Sequence, residues 1–142
     1  MAAVSTGAPG ASDGTGRHPF VYAVLRAVPR VDRGELVNVG VILYCQALEF
    51  LQASVVVDPV RLRAIAPDVD LDAVQTSADA VVVACRTPVG SARENEGLAV
   101  RFGMLTAPRS TVVQPSPVHA GLTTDPLRTL GQLLDRLVAP PS

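Results

Sequence analysis

Side chains able to grip an anion, donate hydrogen bonds or move a proton gather in two stretches of this sequence. The first holds Arg26, Arg30, Asp32, Arg33, Glu35 and Asn38, and the second Arg109, Ser110, Thr111, Gln114, Ser116 and His119. In the first stretch Arg26 and Asn38 interrupt runs that are otherwise apolar. Burying either side chain is costly unless its hydrogen bonds are met. One reading is a ligand-facing fork, with Arg26 and Arg33 gripping an anion through planar guanidinium groups while Asn38 orients it. The other is structural, with Arg26 paired to Glu35 across a hairpin and Asn38 bonded to a neighbouring loop. Gly40 suits both, because a glycine in a strand lets a second backbone or a ligand come close.

In the second stretch, Pro108, Pro115 and Pro117 stiffen the chain around the polar groups. A stiffened segment loses less entropy when fixed, which suits a binding loop and equally an ordered connection. Ser116 and His119 are the types needed for a nucleophile and its base. They sit in a non-helical segment with no acid placed to orient the histidine, so a binding role fits better than catalysis. The chain carries no phosphate-binding glycine loop, no dinucleotide fingerprint, no HExxH, no paired CxxC and no nucleophile elbow. With two histidines in all, no spacing suggests a metal site, and neither metal nor cofactor is expected.

Composition narrows the class further. Twelve basic residues, every one Arg, balance thirteen acids for a net charge of -1. There is no basic stripe of the kind a nucleic-acid binder presents, so no nucleic-acid partner is expected. No run approaches the roughly eighteen apolar residues that span a membrane, and the amino terminus has no signal-peptide pattern. Cys45 and Cys85, the two cysteines, each follow an apolar run and lack metal spacing. They read as buried free thiols, and a cytoplasmic location is expected.

The elements that must position these residues follow from periodicity. Residues 1–17 are small, polar and Gly-rich and read as a disordered tail, 18–139 as a single domain, and 140–142 as a second short tail. A strand apolar on both faces starts near Phe20 and ends at Pro29. A second strand over about 36–46 is uniformly apolar at Val37, Val39, Val41, Leu43 and Cys45, which should share the core face. A third over about 48–57 makes a hairpin with it. Helices are expected at 59–66 behind Pro59, at 71–86 behind Asp70, around Leu98–Leu105, and behind Asp125-Pro126, where Leu127, Leu130, Leu134 and Leu137 form a stripe. Residues 88–97 read as loop. Ala107 to Gly121 reads as irregular with one short strand-like piece at Thr111 to Gln114. The fold class is α+β: an antiparallel sheet of three to five strands with two or three helices packed on one face.

Two segments, YAVLRAVPRVDRGELVNVGVILYC at 22–45 and FGMLTAPRSTVVQPSPVHAGL at 102–122, together resemble a bacterial family catalogued as domain of unknown function thirty thirty-seven. The resemblance covers about residues 19–138 and is strongest at Arg33, Glu35, Asn38, Gly40, Arg109, Ser110 and His119. It implies a small cytoplasmic protein, and a HipA-like kinase as a partner; it carries no assigned activity. The expected function is a non-catalytic accessory domain that binds another protein. The alternative is a small enzyme or anion-binding domain for a phosphorylated ligand, which requires Arg33, Arg109 and His119 to converge.

Overall fold

The computed structural model describes residues 16–29, 34–86 and 94–139. Most of the expected amino-terminal tail, the tail at 140–142, and Arg30, Asp32 and Arg33 of the first polar stretch lie outside the described residues. The first strand, β1 (His18–Ala27), has the apolar character on both faces that marks a central position, and it is central. On one side it pairs with β2 (Val37–Cys45), which pairs in turn with β3 (Phe50–Val55). On its other side β4 (Val113–Pro115) and β5 (His119–Thr123) follow each other along one edge. All pairings are antiparallel, giving a five-stranded sheet.

The helices start where Asp and Pro signal starts. In α1 (Pro59–Ile65) the Asp58 carboxylate accepts from the Val60 and Arg61 backbone N–H groups. In α2 (Leu71–Arg86) Asp70 accepts from Ala73 at 3.0 Å. In α4 (Pro126–Leu137) Asp125 accepts from Arg128 at 3.3 Å. Such caps satisfy N–H groups that a helix cannot pair internally. The β-branched run Val81 to Val83 stays helical because Val81 and, four residues on, Cys85 are buried. Packing overrides propensity there. The remaining helix, α3 (Glu94–Leu105), begins inside the segment expected as loop, and Gly97 and Gly103 are both accommodated within it.

The α+β class and the antiparallel sheet stand as expected, and α1, α2 and α3 share one face with Ala23, Leu25, Ile42 and Leu51. The fourth helix, α4, covers the other face, where Leu130 and Leu133 pack on Phe20, Val41, Leu43 and Cys45. The sheet therefore carries helices on both faces, with α4 covering the β2 and β3 part of its side. This explains why β1 and β2 read as apolar throughout. Within α4 the buried stripe runs through Leu133, whereas Leu127 is 59% exposed.

The odd-numbered residues of β2 do not share one face. Leu25 lies opposite Gly40 and Arg26 opposite Asn38, so Val39 is an extra residue with no counterpart on β1. Such a bulge turns the alternation over. Val37 and Val39 face α2, while Val41, Leu43 and Cys45 face α4. Asn38 and Gly40 are likewise parted. Gly40 is closed off by protein: a Cβ there would lie 2.7 Å from Val55 Cγ1 and 2.8 Å from the Ser54 carbonyl oxygen. It serves the approach of a neighbouring strand.

Candidate functional site

The bulge at Val39 aims Asn38 at α4, and Asn38 Nδ2 donates to the Leu137 carbonyl at 2.9 Å. Arg61 of α1 donates to the next carbonyl, Val138, also at 2.9 Å. Asn38 thus satisfies a helix end, as the structural reading required, with a helix terminus in place of a loop.

Arg26 lies between Asn38 on β2 and Gln114 on β4 in the sheet register. The parity of β1 puts its side chain on the α4 face with Phe20 and Tyr22. Its Nη2 donates to the Pro115 carbonyl at 3.3 Å, while its Nε is buried with no acceptor among the described residues. The expected pairing of Arg26 with Glu35 is not formed, because the ladder ends at Ala27 and Val37 and brings Asn38 opposite Arg26. Glu35 sits half-buried just ahead of β2.

Ser116 is a structural residue. Tyr22 pairs with His119 and Leu25 with Pro115, so Ala23 and Val24 of β1 face Ser116, Pro117 and Val118. This second bulge separates β4 from β5, and Ser116 closes it. Its backbone N–H donates to the Val24 carbonyl at 2.8 Å. Its Oγ accepts from the Val24 N–H at 2.8 Å and donates to the Pro117 carbonyl at 2.8 Å. A hydroxyl whose proton is held by a backbone carbonyl is poorly placed to attack.

His119 is exposed on the α4 face, with its ring 5.3 Å from that of Tyr22, centroid to centroid. Tyr22 in turn lies 6.0 Å from Phe20. The Phe20 ring covers Gly121, where a Cβ would meet ring atoms at 2.7 and 2.8 Å. Since α4 packs on β2 and β3, the part of this face over β1, β4 and β5 keeps Tyr22, Arg26 and Gln114 partly exposed and His119 exposed.

The second polar stretch divides. Gln114 and His119 join Arg26 and Asn38 on the α4 face, whereas the Arg109 guanidinium donates to the Met104 carbonyl near the end of α3. That helix packs on the opposite face through Phe102, which stacks on Tyr44 at 5.8 Å. Arg109 and His119 therefore do not converge. Ser110 is exposed, and Arg33 lies outside the described residues. Reasoning from sequence missed Tyr22, whose even-numbered parity with Arg26 was the available signal, and Arg61, which no local pattern marks.

A cavity of about 450 Å³ lies elsewhere, between α2 and α3, lined by Ala84, Gly97, Val100, Arg101, Met104 and Leu105. Among the described residues no cluster of His, Cys, Asp or Glu could hold a metal ion. None of the described helices is long and apolar enough to cross a membrane. No curated protein and no solved structure matches the chain. A family model does match, over residues 22–138, a span that contains both bulges, Arg26, Asn38 and His119. The chain belongs to the family described as protein of unknown function (DUF3037).

Proposed function

We propose that the chain is a non-catalytic accessory module that binds another protein through the part of the sheet left open beside α4. The observation that supports this is the strip formed by Tyr22, His119, Arg26 and Gln114 on one face of two adjoining strand pairs. Tyr and Arg are among the side chains that most often anchor protein interfaces, Tyr through large contact area with few torsions to freeze and Arg through its planar fork of donors. The two bulges that flank Arg26 shape this surface and hold it on strands. The reading sets the protein in the cytoplasm, which its two buried free cysteines favour. The HipA-like kinase suggested by the family resemblance is the first partner to test.

The experiment is co-purification of the tagged chain with that kinase and from native lysate, run beside a Tyr22→Ala/His119→Ala variant with an unchanged circular dichroism spectrum. The parent should retain one stoichiometric protein and the variant should lose it. Equal retention by both would remove the strip from the reading, and retention by neither would remove the reading itself.

A further inference from the structure

We infer that Arg26 anchors an oxyanion site on this strip, taking a carboxylate or phosphate group presented to the sheet from the α4 side. This deepens the interaction reading and rests on the same face, although its own evidence is separate. Arg26 is a cation at the centre of a sheet, and no carboxylate pairs with it among the described residues. Of its guanidinium donors, Nη2 is engaged with the Pro115 carbonyl at a long 3.3 Å, and Nε is buried without an acceptor. A buried N–H left without an acceptor is destabilising, and a charged one more so. A fold that tolerates this in its central strand has a reason to keep the group there.

The neighbours suit an anion. Gln114, directly opposite on β4, brings an amide donor beside the guanidinium. On the other side, the amide of Asn38 is turned toward α4 by its bond to Leu137 and offers Arg26 no negative charge. Both bulges fall within three residues of Arg26, at Leu25/Arg26 on the β2 side and at Ala23 and Val24 on the β5 side. Bulges are over-represented beside active sites, where they re-aim strand side chains. An oxyanion meeting a planar guanidinium through two parallel N–H groups gains both strength and orientation.

The test reads Arg26 directly. In the full chain, the Nε–Hε resonance of Arg26 is followed by NMR while inorganic phosphate, sodium acetate or sodium chloride is added at matched ionic strength. Saturable movement with phosphate alone assigns a phosphate site, and saturable movement with acetate assigns a carboxylate site. Drift that is linear and equal for all three salts overturns the inference. In the variants Arg26→Lys and Arg26→Gln, thermal shift should show affinity for the effective anion reduced about tenfold or more. Arg128→Gln, on the exposed side of α4, should leave it unchanged. Partner capture that survives in Arg26→Gln, with no saturable shift in the parent, sinks the anion site and leaves the interaction reading standing. A saturable shift without any captured partner does the reverse.

Discussion

The Val24 backbone N–H donates to a side chain at the point where the neighbouring strand breaks. The Ser116 hydroxyl fills the acceptor position that a β4 or β5 carbonyl would occupy in an unbroken ladder. Removing it in Ser116→Ala strands a buried backbone N–H, at a cost of about 1–3 kcal/mol in urea unfolding. Binding per folded molecule should be unaltered, since the residue holds the strip without forming it. A loss of binding larger than the loss of folded protein would return Ser116 to the site. Gly40 is constrained differently, because a Cβ would press on the Ser54 backbone carbonyl, which cannot rotate away. Gly40→Ala should cost about 1–3 kcal/mol through overpacking, measured by the same unfolding curves. Gly40 read equally well from the sequence as a place for a ligand. What decided it was the register shift one residue earlier, which no single side chain announces.

At the scale of elements, α4 is capped at its start by its own Asp125 and held at its end by other elements. Its last carbonyls are taken by Asn38 of β2 and Arg61 of α1, so the helix end is fixed to two separate elements. Asn38→Ala should lower stability by roughly 1 kcal/mol and speed amide exchange selectively over the last turn of α4. Uniform exchange across the helix would mean that Asn38 supports the sheet and not the cap. Gly131, exposed within the same helix and with no atom near its missing Cβ, makes the opposite case. Gly131→Ala should raise stability by about 0.5–1 kcal/mol. These contrasts mirror what the sequence made legible. The Asp and Pro residues at 58–59, 70 and 125–126 marked three helix starts because capping is local chemistry. The first three strands were legible from apolar runs. The strand His119–Thr123 was not, since its alanine, glycine and exposed leucine show no alternation and its partner lies a hundred residues away. The candidate site divides the same way. Arg26 and Asn38 stood out as polar groups in apolar runs, but their adjacency depends on the bulge at Val39, and that of Gln114 on a non-local pairing.

At the scale of the whole molecule, one sheet separates two cores, and the larger core contains a group that ties stability to pH. Cys85 sits 6% exposed on the inner side of α2. Burial pushes its thiol up from 9.0 to about 11, against the opposing pull of the Arg101 and Arg86 guanidinium groups. A raised thiol pKa means that the folded state holds the proton more tightly than the unfolded chain. The associated stability is fully present below pH 9 and is lost as pH rises toward 11, by up to ~3 kcal/mol. Burial, followed by the effect of Cys45, also raises the Tyr44 hydroxyl, which adds a loss of the same sign at alkaline pH. Urea midpoints of the parent should therefore fall steeply across this window. Cys85→Ala should start lower, from the cavity it leaves, yet fall less steeply, because only the Tyr44 contribution remains among these two groups. Parallel curves for parent and variant would assign the alkaline loss to other groups and show that Cys85 ionises as readily folded as unfolded. A shallower curve would establish that the α2 face stays closed to water up to the pH at which its thiol finally titrates.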